Sequence, residues 1–128
     1  RLAAARGVEI ETVLADLGNF TIEPGVWAGI VTTFAHLPPA IRRNIHGQVV
    51  CGLRPGGVFV LEAYALAQLA FDTGGPKSPE LLMTLASLRT ELAGLELLVG
   101  REIEREVIEG DGHTGRGAVV QILARRNE

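Results

Sequence analysis

Asp16 in "DLGNF", His36 in "FAHLPP", Tyr64 in "VFVLEAY" and His113 in "GDGHTGRG" carry the side chains of this chain best suited to chemistry. Asp16, His36 and Tyr64 each close an apolar, β-prone run, the place where an open parallel sheet presents its ligands. A carboxylate at Asp16 can accept from an exocyclic amine or a ribose hydroxyl. It can equally close an Asx-turn on the amides of Gly18 or Asn19. His36 follows one strand and precedes a helix start, where an imidazole either lines a pocket, acts as a base or packs over the sheet end. Tyr64 either faces the same crevice or is structural, and His113 sits in a hairpin tip open to a substrate. "RPGG" runs into a strand and not a helix, so its glycines form no phosphate cradle. The one G-x-G-x-x-G, Gly110 to Gly115 in "GDGHTGRG", joins two strands and opens no helix, so it makes no dinucleotide fingerprint; P-loop, G-x-S-x-G and metal-ligand spacings do not occur in the sequence.

These residues must be positioned by a small scaffold. The sequence has 128 residues, 47% hydrophobic and 21% charged, with a net charge of −3. That is the size and balance of one folded domain with a single core. Its basic residues are outnumbered and scattered, which argues against nucleic acid as a partner. The lone Cys51 cannot form an internal disulfide and reads as a small core residue of a helix. An intracellular, cytoplasmic setting is expected. No apolar run approaches the roughly 20 residues of a membrane span. The opening "RLAAARG" reads as the end of a helix stopped by Gly7, so further sequence is expected upstream of Arg1.

"VEIETVLAD" alternates as a strand, followed by the loop "LGNFTIEPG". "VWAGIVTTF" is continuously apolar and is expected as a strand covered on both faces. A helix is expected from Pro39, with Ile41, Ile45, Val49 and Leu53 inward and Arg42, Arg43 and Asn44 outward. A turn at "RPGG" and the strand "VFVLEAY" complete a βαβ unit, hence a parallel pair. A connection with one helical turn leads to "GGPK". A helix over "SPELLMTLASLRTELAG" is then expected, capped by Ser78 and closed by Gly94. "LELLVGREIEREVIEG" and "GAVVQILARR" form an antiparallel hairpin, the first with a charged, solvated face.

In this order the chain resembles the C-terminal two-thirds of a class I S-adenosylmethionine-dependent methyltransferase. The stretch "FAHLPPAIRRNIHGQVVCGLRPGGVFVLEAY" is the most specific. It is similar to the bacterial subgroup of tellurite-resistance-type enzymes, as are "TGGPKSPELLMTLASLRTEL" and "EGDGHTGRGAVVQILAR". The resemblance implies an α/β, Rossmann-like sheet of parallel strands with an antiparallel C-terminal hairpin, its last strand inserted beside the fifth. Five family strands are expected here. The first two, about 60 residues at about 30 per βα unit, are missing, together with the glycine-rich loop and the acid that holds the ribose. Residues 1–128 would then be a single, incomplete methyltransferase domain.

The resemblance further implies that Asp16 accepts from the adenine amine and that the Leu17 amide meets a ring nitrogen. Thr33 and Phe34 would border the methionine end of S-adenosyl-L-methionine, with His36 and Leu37 beside it. Tyr64 and His113 fall on the acceptor side, and no residue is assigned as a general base. Ala28 stands where related sequences often carry Asp. The expected function is methyl transfer to a small-molecule acceptor, with alignment of acceptor and sulfonium supplying much of the acceleration. The alternative is a catalytically incomplete module that associates with itself or a partner through an exposed sheet edge.

Overall fold

The computed structural model describes residues 1–108, 110 and 112–128. Glu109 and Asp111, which the sequence puts in the charged strand face and the hairpin tip, lie outside the described residues. A four-residue helix α1 (Leu2–Ala5) is followed by an extended segment and strand β1 (Trp27–Thr33). Helix α2 (Pro39–Gly52) leads into strand β2 (Leu53–Tyr64). Two 3-10 turns, Leu66–Ala70 and Pro79–Leu81, precede helix α3 (Leu85–Glu91). Strands β3 (Leu95–Ile108) and β4 (Thr114–Arg126) close the chain. The sheet order is β1-β2-β4-β3, parallel between β1 and β2 and antiparallel elsewhere. The last strand thus inserts beside β2, as the resemblance implies.

One face of the sheet carries the core. Phe59 and Leu61 of β2 and Val120, Ile122 and Ala124 of β4 pack against Ile45 and Val49 of α2 and Leu88 of α3. Fully burying a large apolar side chain of this kind contributes about 1.5–3 kcal/mol. The opposite face holds Val31, Val60 and Val99, which are partly exposed.

Several local expectations are corrected. Residues 8–16 form no strand: no neighbouring segment pairs with them, and Val8, Ile10, Val13 and Leu14 are exposed. Alternation prepares a strand, but a ladder partner makes one. The described sheet therefore has four strands, not five. β1 is an edge strand and largely exposed, not covered on both faces. "RPGG" lies within β2 as a wide bulge: Leu53 faces Trp27 and Val58 faces Gly29, with Gly56 at φ 73° absorbing the kink. The helix expected from Ser78 is split. Ser78 makes no side-chain cap, whereas Thr84 and Ser87 form a reciprocal capping box that starts α3 six residues later than expected. Arg42 points inward and is buried, while Cys51 is exposed.

Candidate functional site

Parallel pairing brings the carboxyl ends of β1 and β2 side by side, with Thr33 opposite Glu62. The ladder continues one residue further, where the Phe34 amide donates to the Glu62 carbonyl at 2.8 Å. Phe34 then adopts φ 50°, the one positive φ of a non-glycine among the described residues. Such a conformation costs energy and persists where surrounding contacts hold it, commonly at functional sites. It turns the chain sharply, and the His36 amide returns to the Phe34 carbonyl at 3.2 Å.

The turn opens a cavity of about 410 Å³ beyond the two strand ends, lined by Thr33, Phe34, His36 and Tyr64. Gly75, Pro76 and His113 complete its wall. Tyr64 is its floor, only 2% exposed. The Phe34 ring lies 4.9 Å from the Tyr64 ring. His36 and His113 stack roughly parallel to Tyr64 at 5.6 and 6.4 Å.

His36 is held at both nitrogens. Nδ1 donates to the Leu81 carbonyl at 3.0 Å, and Nε2 accepts the Tyr64 backbone N–H at 3.3 Å. This pair of bonds requires the neutral Nδ1–H tautomer. Burial lowers the imidazole below its ordinary pKa; the Leu81 bond opposes this and the nearby Arg42 charge adds to it. His36 shapes the cavity and ties β2 to the turn at Leu81.

The roof of the cavity was not found from sequence. The buried amide of Gln68 donates to Thr73 Oγ1 at 3.1 Å and the Gly74 carbonyl at 3.0 Å, and its Oε1 accepts the Ala118 N–H at 2.7 Å. Thr73 Oγ1 in turn donates to the Arg116 carbonyl at 2.8 Å. The Gly74–Gly75 turn is thereby pressed onto the rings: a Cβ at Gly75 would lie 2.7 Å from Tyr64, and one at Gly74 would lie 2.3 Å from His113. The signal available in sequence was the paired glycine before Pro76, which reads there only as a breaker.

Asp16 and its neighbours lie apart from this cavity. Asp16 Oδ1 accepts the Gly18 N–H at 2.9 Å and Oδ2 accepts from the Asn19 amide at 3.4 Å, so the Asx-turn is present. Leu17 and Leu37 line a second, apolar slot of about 240 Å³ beside Ala35 and Thr32. The Thr32 hydroxyl in that slot is buried without a hydrogen-bond partner. Thr33, Phe34, His36, Tyr64 and His113 are thus gathered around one cavity, and Leu17 and Leu37 line the other.

Behind the slot lies a polar cluster that sequence reading also missed. Glu91 accepts two bonds from Arg42, Nε at 3.1 Å and Nη2 at 2.8 Å, and one from His46 Nδ1 at 2.7 Å. Arg42 also donates to the carbonyls of Glu80 and Leu82. The usable signal was Arg42 and His46 at i and i+4 beside Ile45 and Val49.

The slot is mostly apolar, with the unpaired Thr32 hydroxyl, Arg42 and His46 as its polar groups. The Thr33–Phe34 turn opens toward the other cavity.

No family model matches the sequence, and no curated protein matches it. Solved structures do match, several of them SAM-dependent methyltransferases, and the likeness is one of a Rossmann-like fold. The chain is similar to a SAM-dependent methyltransferase of Methanosarcina mazei (TM-score 0.66, 18% identity, 98% of this chain and 75% of that chain). It is similar to TehB from Haemophilus influenzae (TM-score 0.66, 20% identity, 98% and 44%). A third likeness is to the N-methyltransferase NodS of Bradyrhizobium japonicum (TM-score 0.60, 15% identity, 89% and 58%). The chain therefore spans between 44% and 75% of the length of these three structures. No helix among the described residues is long and apolar enough to cross a membrane.

Proposed function

We propose that this chain supplies the purine-side and acceptor-side walls of an S-adenosylmethionine-dependent methyltransferase acting on a small molecule. One observation carries the reading: Phe34, in a left-handed turn at the end of β1, meets Tyr64 at the end of β2 over an open cavity. The geometry is that of a ligand crevice outside the carboxyl ends of parallel strands, and the fold shared with methyltransferases gives that crevice its chemistry.

In this reading Asp16 and the Leu17 amide hold the purine, and Thr33 and Phe34 border the donor's methionine end, with His36 and Leu37 beside it. When bound, the donor supplies a methyl group already activated on a sulfonium. The protein's part is to orient and to exclude water. Phe34, Tyr64 and the Gly74–Gly75 roof surround the space where an acceptor lone pair must align. His36 has both nitrogens engaged with backbone and moves no proton. The setting proposed is cytoplasmic.

Isothermal titration calorimetry of the natural protein with S-adenosylhomocysteine tests the assignment. Micromolar binding, weakened by Asp16→Ala, is expected. Binding unaffected by Asp16→Ala removes Asp16 from the donor site, and no binding at all removes the methyltransferase reading.

A further inference from the structure

The walls of the 410 Å³ cavity carry no carboxylate, lysine or arginine among the described residues; they are rings, glycine and proline, with one threonine hydroxyl. The charged groups nearby are committed to one another on the sheet and loop. Glu62 pairs with Arg105 and accepts from Gln121, Arg116 pairs with Glu104 at 2.8 Å, and Lys77 pairs with Asp72 at 3.3 Å. His36 offers the cavity only its ring, because both nitrogens are bonded to backbone. An anion placed here would lose its water for at most the Thr33 hydroxyl and the His113 ring, with no lysine, arginine or fork of donors among the described residues, which is costly.

A flat ligand meets the opposite situation. His36 and His113 lie within 18° and 24° of the plane of Tyr64, so the rings already form parallel layers. The Gly75 backbone comes so close that a Cβ would sit 2.7 Å from Tyr64 Cδ2, and Gln68 fixes that approach through bonds to Thr73, Gly74 and Ala118. A slot bounded by ring faces and a rigid glycine roof selects thin, polarisable molecules that stack.

We propose that this cavity binds a neutral aromatic or heteroaromatic small molecule, seated against Phe34 and His113, and not an oxyanion. Its role as the methyl acceptor rests on the methyltransferase reading, whereas the preference for a neutral ring does not. Gly75 and the exposed His113 set the preference: the first closes the cavity over Tyr64, the second supplies a stacking face.

The test is an NMR titration of this chain, with aromatic side chains isotopically labelled, using indole and sodium selenite as the two probes. Indole is expected to give saturable shifts of the Phe34 and His113 ring resonances, with selenite leaving them unmoved. His113→Ala, at an exposed position that leaves the fold intact, should weaken indole roughly three- to ten-fold, the range for one lost aromatic pair. Gly75→Ala should abolish it, and circular dichroism checks that this variant is folded. Shifts caused by selenite in preference to indole, no response to either, or an indole response indifferent to His113→Ala would overturn the proposal. A parallel titration of the natural protein with S-adenosylhomocysteine separates the two readings. Indole binding without it leaves the ring site standing and the methyltransferase reading fallen; the converse result does the reverse.

Discussion

His36 and Tyr64 are joined twice: the Tyr64 backbone N–H donates to His36 Nε2 at 3.3 Å, and the two rings stack with centroids 5.6 Å apart. The other His36 nitrogen reaches the Leu81 carbonyl, so one imidazole ties together the end of β2, the turn after β1 and the start of the α3 region. Replacing it strands a donor and an acceptor in a partly buried setting. His36→Ala is expected to lower stability by about 2 kcal/mol, read as a shift of the urea midpoint.

Glu91 is the centre of a buried clamp between α2 and α3. Its removal leaves the Arg42 guanidinium, 6% exposed, without a counter-charge. Glu91→Ala should cost about 3–5 kcal/mol, the range for breaking one side of a buried pair. Arg42→Met combined with Glu91→Leu should recover much of that loss, because a packed apolar pair needs no counter-charge. A double-mutant cycle in denaturant measures both; equal losses in the single and double variants would count against the clamp.

The pH dependence follows from the same groups. Burial lowers His46 below its ordinary 6.5, with Glu91 opposing and Arg42 assisting, and burial likewise lowers His36. Below 6.5 the unfolded chain takes up protons that the folded one resists, so stability is complete above that value and declines as pH falls. For Glu91 burial pushes upward, but the hydrogen bonds and charges of Arg42 and His46 outweigh it and hold the carboxyl below 4.5. Its contribution is present above 4.5 and fades under further acidification. Thermal melts should be flat from pH 8 to about 7 and then fall. His46→Phe should flatten part of the first decline.

Phe34 has a backbone that suits glycine and a ring that the cavity uses. Phe34→Gly and Phe34→Ala both delete the ring, and only the alanine keeps a Cβ at φ 50°. The glycine variant should be the more stable by about 1 kcal/mol, while both lose ligands of the cavity. Equal stabilities would mean that the left-handed turn carries no strain.

β1 has no strand on its outer side among the described residues, and Val31, on the face it shares with Val60, is 64% exposed. An unpaired apolar edge invites association, and we propose self-association of this chain through it. Sedimentation velocity should reveal a dimer that Val31→Lys shifts toward monomer. A monomer at all concentrations would sink the proposal.

The elements easiest to read were those whose signals are local. Pro39 announces α2, the β-branched run announces β1, and the hairpin of β3 and β4 follows from two apolar strands around a polar tip. Thr84 was harder to find because Ser78-Pro79 offers the same cap signature; Pro79–Leu81 instead formed a 3-10 turn, and α3 began after it. Arg42 was misplaced because its charge argues for solvent. Only a carboxylate from another helix, Glu91, makes its burial tolerable.

The sequence by itself determined β1, α2, the parallel βαβ unit and the terminal hairpin, because periodicity, caps and turns act over a few residues; the likeness to a methyltransferase rested on the resemblance of particular stretches. It also marked Thr33, Phe34, His36, Tyr64 and His113 as neighbours of strand ends or a hairpin tip. Only tertiary structure decided that these five share a cavity, that His36 is pinned neutral, that residues 8–16 stay unpaired and that Gln68 holds a glycine roof over Tyr64. The physical reason is that a hydrogen bond or ring contact joins residues far apart in sequence, and no local pattern records which partner will arrive.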